Sequence, residues 1–321
     1  MLFDIIQKAL PANLALVDVI SDLLDVGADA SYRRIRGDKP ISFEEALKLC
    51  RHFQLSFDML TGLKPIHQFD CMYRPINMSN PNEYINYMQT LSKHVEKLKA
   101  SHDSSILMSA MDIPVFHILP QKELTLFKVY TWAQSVYDNE LCMDDFMKEF
   151  EKPEILTCYQ KISENYELIP SAEIWMEKTI DATLRLIGYY VDICSFSNKE
   201  LPLLLCEQLL TILNKLQQWA ESGTKGARTT PFQLYVSEME LENTYLLMKQ
   251  PEVSNCAVKL YTINSLNIFD QEFCRETENW LDKLAQRSTL LCGSSEKERV
   301  KFFHSQRQKI QFLIEKIQKS F

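Results

Sequence analysis

The chain has 321 residues, enough for about two domains, and 46% of them are hydrophobic, so a sizeable core can be buried. Only 7 residues are glycine, which favours helices over a turn-rich β fold. The chain opens with Met1-Leu2-Phe3-Asp4, which lacks the basic segment of a signal peptide, and no apolar run approaches the ~18 residues of a membrane span. We therefore expect a cytoplasmic protein with no membrane partner.

The cysteines and histidines exclude several classes of site. The nine cysteines are scattered without Cys-x-x-Cys or zinc-ligand spacing, which predicts free thiols. The six histidines are dispersed, and neither a phosphate-binding loop nor a nucleophile elbow is present. We therefore expect no enzyme, no cofactor, no metal site and no catalytic residues.

The formal net charge of −8 is distributed unevenly along the chain. Residues 1–64 carry 8 basic and 9 acidic residues, and residues 293–321 carry 7 and 3, which leaves a net charge of −11 in residues 65–292. Within the first segment, four basic residues crowd into seven positions, Arg33, Arg34, Arg36 and Lys39. The overall acidity therefore does not exclude a nucleic-acid contact through the amino-terminal segment.

Five short helices are predicted in the first 62 residues. Apolar residues at helical spacing start at Leu2 and again at Leu16, and a third helix over 28–36 ends at Gly37. Ser42 and Glu45 have the spacing of a capping box, which starts a fourth helix, and Ser56 caps a short fifth helix that ends near Gly62.

The rest of the chain is predicted to be largely helical. Prolines with Asn and Ser make residues 65–82 a connector with little regular structure. A polar helix over 83–100 is followed by an apolar strand and loop in 105–119, and further helices are predicted at 121–138, 142–150, 153–165, 172–195, 199–221, 270–287 and 296–318. Residues 232–248, with a turn at Glu242-Asn243, and residues 258–263 alternate like strands. We predict a mainly α fold with at most a small antiparallel sheet, in domains 1–64 and 83–321.

The segment from Ile20 to Leu60 resembles the phage-repressor-like (Cro-type, XRE) helix-turn-helix family of bacterial transcriptional regulators. Ile20 and Leu24 match the apolar pair of the scaffold helix, Ser21 the small residue at the helix crossing, and Val26 the turn residue. The ending Arg36-Gly37 and the stretch from Ser42 to Leu60 complete the pattern. The resemblance implies a lambda-repressor-like domain in 1–64 whose recognition helix, 28–36, enters the major groove of double-stranded DNA. It covers about a fifth of the chain.

Six DNA-contacting residues are carried over from this resemblance. It implies that the bases are faced by Ala28, Asp29, Tyr32 and Arg33, and that Arg36 and Lys39 reach phosphates. Arg34 points away from this face, which leaves a structural or a surface role open for it.

Three functions are compatible with these patterns. The leading hypothesis is a sequence-specific regulator whose carboxy-terminal domain supplies dimerisation or senses an effector, either a small molecule or a protein. A homodimer is expected because one small module makes few base contacts. The alternatives are a protein–protein adaptor or antitoxin-like partner that docks through the acidic domain, with 1–64 as an interaction module, and an enzyme fused to a DNA-binding head.

Overall fold

A computed structural model of the chain describes residues 2–10, 14–53, 55, 69–77, 80–137, 140–227 and 229–321. The chain divides into two compact units, Met1–Phe69 and Asp70–Phe321.

The amino-terminal unit is helical over all its described secondary structure. Its helices are α1 (Leu2–Ala9), α2 (Leu16–Leu24), α3 (Ala28–Arg36) and α4 (Phe43–Phe53). They enclose a small core of Ile6, Ile20, Leu24 and Leu49, with Val26 half-buried against it. The fifth helix predicted from Ser56 lies outside the described residues.

Two local predictions in this unit are confirmed. Gly37 ends α3 in the left-handed conformation (φ 83°), which glycine adopts without steric cost. At the start of α4, the Ser42 hydroxyl accepts a hydrogen bond from the Glu45 amide (3.2 Å), and the Glu45 carboxylate accepts one from the Ser42 amide (3.1 Å). This reciprocal pair is the predicted capping box.

The second unit contains nine helices and nine strands among its described residues. The helices are α5 (Pro81–Ala100), α6 (Val115–Ile118), α7 (Lys122–Val136), α8 (Met143–Phe150), α9 (Pro153–Glu167), α10 (Asp181–Asp192), α11 (Glu200–Ser222), α12 (Gln271–Gln286) and α13 (Glu296–Ser320). The strands are β1 (Cys71–Tyr73), β2 (Ser105–Ala110), β3 (Ser171–Met176), β4 (Thr224–Lys225), β5 (Thr230–Ser237), β6 (Tyr245–Lys249), β7 (Asn255–Lys259), β8 (Ser265–Ile268) and β9 (Thr289–Leu290).

All nine strands belong to one mixed sheet. Their order is β1-β8-β7-β6-β2-β3-β5-β4, and β9 pairs with β5. The strands β2, β3 and β5 are parallel to one another, whereas β6, β7, β8 and β1 extend the sheet by antiparallel pairing. Helices between the parallel strands provide the crossovers that parallel pairing requires.

The two faces of the sheet have different coverings. Alternate strand residues such as Leu107, Ile174 and Leu247 pack against α12 in one apolar cluster. The residues of opposite parity, among them Met108, Trp175 and Phe232, join a larger cluster with the helices α5, α7, α9, α11 and α13. Because successive side chains of a strand point to opposite faces, the central strands are buried on both sides.

The prediction of a mainly α fold with at most a small antiparallel sheet is wrong. The sheet has nine strands and a parallel centre, and the helix predicted over 172–195 is the strand β3 followed by α10. A short strand that is buried on both faces has no solvent-exposed face, so its residues lack the polar–apolar alternation that distinguishes a strand from a helix. In β3, SAEIWM, every residue is buried except the half-buried Ala172.

The pairing expected around Glu242-Asn243 also differs from the structure. The strands on either side of this turn, β5 and β6, do not pair with each other, since β5 pairs in parallel with β3 and β6 pairs with β2. The predicted connector 65–82 contains the strand β1, which pairs with β8. All nine cysteines are unpaired, and no helix in the described part of the chain is both long and apolar enough to cross a membrane.

Candidate nucleic-acid interface

The crossing of α2 and α3 depends on two small side chains. The hydroxyl oxygens of Ser21 and Ser31 lie 2.9 Å apart, and the Ser21 hydroxyl also donates to the Val17 carbonyl (2.8 Å). Ser31 is fully buried at this crossing. Its buried hydroxyl therefore has a hydrogen-bond partner, and the two helices approach closely.

The six residues assigned to DNA contact share one property, which is exposure to solvent: Ala28, Asp29, Tyr32, Arg33, Arg36 and Lys39. Those on α3 form two adjacent rows with a spacing of three or four residues, 28, 32 and 36 in one row and 29, 33 and 36 in the other, so they form one face of the helix. Tyr32 has 51% of its surface exposed although it is aromatic. The face opposite the packed Ser31 is thus free to meet a partner.

Charge on this face is predominantly positive but not uniform. Arg36 forms an ion pair with Asp38 (3.2 Å), in which both side chains are more than half exposed. Exposed pairs of this kind are weak, so the pair does not prevent Arg36 from binding a phosphate. Asp29 lies in the first turn of α3, where the helix dipole favours a carboxylate.

Arg34 differs from the other arginines of α3 because its side chain is buried. Its guanidinium donates to both carboxylate oxygens of Glu45, at 2.6 and 3.2 Å, and to the Ala30 carbonyl at 3.0 Å. Only 4% of the Arg34 side chain is exposed. Arg34 therefore joins α3 to α4, in agreement with the structural role that its direction on the helix left open.

Glu45 has two partners that make it central to this unit. Its carboxylate completes the capping box with Ser42 and also accepts two hydrogen bonds from the guanidinium of Arg34. The hydrogen bonds from Arg34 hold the pKa of Glu45 below its ordinary value of 4.5, although burial opposes this shift. The orientation of α3 relative to α4 is thus linked to the ionisation of one carboxyl group.

We predict that Glu45→Gln lowers the Tm of residues 1–69, expressed alone, by about 5 °C or more at neutral pH. The lowered folded-state pKa means that the ion pair stabilises the unit fully above about pH 4.5 and is lost as the pH falls through that lower pKa. Circular dichroism should therefore show a shallower fall of Tm with acid in Glu45→Gln than in the native unit. The matched control is Glu44→Gln on the exposed side of α4. An equal effect of both substitutions would contradict the prediction.

A buried polar cluster in the second unit lies outside every sequence-based expectation. Glu173 on β3 is completely buried, and its carboxylate accepts hydrogen bonds from His117 Nε2 (2.8 and 3.0 Å), from Trp175 Nε1 (2.8 Å) and from the Tyr166 hydroxyl. Burial alone would raise the pKa of Glu173, but the adjacent His117 and the three donors hold it below its ordinary value. A carboxylate within an apolar run was the one sequence feature that could have indicated this cluster.

Lys225 extends this cluster toward the end of α11. Its ammonium donates to Ser171 Oγ (2.7 Å) and lies 3.3 Å from the centre of the Tyr166 ring, a cation–π contact. Burial lowers the pKa of Lys225 to about 7, against the attraction of Glu173 and Glu167. Because each described polar atom of Glu173 and Lys225 has a partner within the protein, the cluster acts as part of the core.

No group of three or more His, Cys, Asp or Glu side chains in the described residues is arranged to hold a metal ion. Comparison of the chain with models of known protein families, with curated proteins and with solved structures finds no match. Function is therefore inferred below from the geometry of the described residues alone.

Proposed function

We propose that the protein is a sequence-specific DNA-binding transcriptional regulator in which α3 enters the major groove. The observation that carries this proposal is the division of the α3 side chains. Arg34 and Ser31 are buried in contacts with α4 and α2, whereas Tyr32, Arg33 and Arg36 are exposed on the opposite face. A short helix that is fixed on one side and presents arginines on the other suits the width and the acceptor pattern of a major groove.

The second unit has a separate part in this proposal. A single reading helix makes few base contacts, and joining two readers multiplies affinity through effective concentration. We therefore propose that residues 70–321 hold two copies together as a homodimer and respond to an effector. The two-fold symmetry of such a dimer predicts a DNA site with two half-sites about one helical turn apart.

The proposed function is tested by fluorescence anisotropy of the full chain with duplexes selected from a random pool. We expect selection of one sequence, and a logarithm of affinity that falls linearly with the logarithm of salt concentration, since phosphate neutralisation releases counterions. Light scattering should find a dimer on the selected duplex. An adaptor would instead select no sequence and bind DNA weakly at every salt concentration, which would favour docking through the acidic unit.

A further inference from the structure

A cavity of about 420 Å³ lies between α5 and the antiparallel half of the sheet. Its floor is one row of side chains across five strands, Met72, Asn267, Ala257, Leu246 and Met108, which the pairing register places side by side. Tyr87 and Leu91 of α5 and Trp132 of α7 form apolar walls. The size and the mainly apolar lining are typical of sites for small organic molecules.

The charged groups that line this cavity are predominantly positive. Among the described residues that line it, these are Arg74, Lys97, Lys128 and Lys259, against a single carboxylate, Asp112. Asp112 is already neutralised, since it accepts hydrogen bonds from Lys128 and from the Thr183 hydroxyl (2.8 Å). An excess of three cations therefore remains in a chain whose net charge is −8.

The three remaining cations are not held by hydrogen bonds or ion pairs to other described residues. Within the described ranges, the side chains of Arg74, Lys97 and Lys259 form no hydrogen bond or ion pair. Lys259 is half-buried, and burial lowers its pKa although Asp112 attracts the charge. An ammonium that is partly removed from water without a hydrogen-bond acceptor costs free energy, which an anionic ligand oxygen would offset.

The register of the sheet brings two of these cations to one end of the cavity. Lys259 pairs with Ser265 across β7 and β8, and Arg74 follows Tyr73, which pairs with the neighbouring Leu266. Arg74 and Lys259 thus lie on either side of β8, with their backbones about 10 Å apart across two strand spacings. Their side chains can reach one anionic group from two directions. Lys97 contributes a third positive charge from α5. Burial lowers the pKa of the nearby His94, and repulsion from Lys97 and Arg74 lowers it further.

We propose that this cavity binds an organic anion whose carboxylate or phosphate lies between Arg74 and Lys259 and whose aliphatic or aromatic body lies on the apolar floor. The inference goes beyond the proposed DNA-binding function and does not depend on it, because every residue involved belongs to the second unit. It assigns the chemical class of the ligand rather than its identity.

The test uses 8-anilinonaphthalene-1-sulfonate, an aromatic anion, and N-phenyl-1-naphthylamine, its neutral counterpart, in fluorescence titrations of the full chain. We expect saturable binding of the anion with one site per chain. Decanoate and decyl phosphate should displace it, and the comparison between them identifies the preferred head group. Decan-1-ol, with the same chain length and no charge, should displace it at least ten times less effectively. Equal displacement by the alcohol would overturn the proposal.

The residue-level test is Lys259→Met, which retains the length of the side chain and removes its charge. We expect at least a tenfold loss of affinity for the anion with unchanged affinity for the neutral dye, which also reports an intact cavity. Lys301→Met, on the exposed side of α13, is the matched control and should change neither. If Lys259→Met fails to fold, Arg74→Met, at an exposed position, replaces it with the same expectation. Unchanged anion affinity in a folded variant at either position would overturn the proposal.

Discussion

Glu173→Ala is expected to lower the free energy of unfolding of the second unit by about 3–5 kcal/mol, the usual cost of removing one partner from a buried ionic cluster. The substitution leaves the imidazole of His117, the indole N–H of Trp175 and the Tyr166 hydroxyl without their shared acceptor at a site that water does not reach. It also leaves a cavity between β3 and the helices. Urea unfolding followed by tryptophan fluorescence measures the change, with Trp175 in direct contact with the altered site.

Two control variants separate the loss of hydrogen bonds from the loss of volume. Glu173→Gln conserves the shape but turns one acceptor into a donor, so we expect a destabilisation that is smaller than for alanine and still well above 1 kcal/mol. Glu238→Ala, at an exposed position just after β5, should change stability by less than about 0.5 kcal/mol. A loss of less than about 1 kcal/mol in Glu173→Ala would show that the cluster is solvated or rearranges in solution.

The helices could be predicted from sequence because their evidence is local. The capping box at Ser42 and Glu45 and the glycine that ends α3 both act within one turn of chain. The strand β3 could not be distinguished in this way, because its neighbours β2 and β5 are about 60 residues away along the chain and neither of its faces is exposed to solvent. The parallel sheet therefore depends on pairing between distant segments, which the local spacing of apolar residues does not predict.

The same limit explains which functional groups were missed. The partners of Glu173 lie on α6, α9 and β3, and the cations of the anion cavity come from β1, α5 and β7 or their ends. Only the sheet order brings them together. Arg34 shows the same difference between local and long-range information. Helix geometry predicts that its side chain points away from that of Arg33, but its ion-pair partner Glu45 is known only from the structure.

Arg33→Ala is expected to weaken binding to the selected DNA sequence by about 1–3 kcal/mol, which is the discrimination that one bidentate arginine–guanine contact provides. Arg33 lies one turn from Asp29 on the exposed face of α3, near enough to the amino end of the helix to reach a base edge. The loss should be accompanied by relaxed preference at a single base position. Anisotropy titrations against the selected and a scrambled duplex, each at two salt concentrations, measure both effects.

Two other arginines on the same helix are matched controls for Arg33. Arg36→Ala should weaken the selected and scrambled duplexes alike and reduce the salt slope by about one charge, because a phosphate contact carries no sequence information. Arg34→Ala should leave base preference unchanged, since the guanidinium is engaged with Glu45 and Ala30. Its effect should be a lower Tm of the amino-terminal unit, and DNA titrations of this variant should be made well below that temperature.

The three variants together distinguish two possible errors, a wrong assignment of the α3 face that contacts DNA and a wrong assignment of DNA binding itself. If Arg34→Ala abolishes base preference in a folded protein while Arg33→Ala has no effect, the helix presents a different face to DNA and the Arg34–Glu45 pair opens on binding. If none of the three substitutions changes DNA affinity, the exposed face of α3 has another partner. A protein ligand of that face would then be recognised through Tyr32 and Arg33, because aromatic and arginine side chains dominate the binding energy of protein interfaces. The salt slope distinguishes these cases, since only phosphate contacts make it fall with the removal of a single exposed arginine.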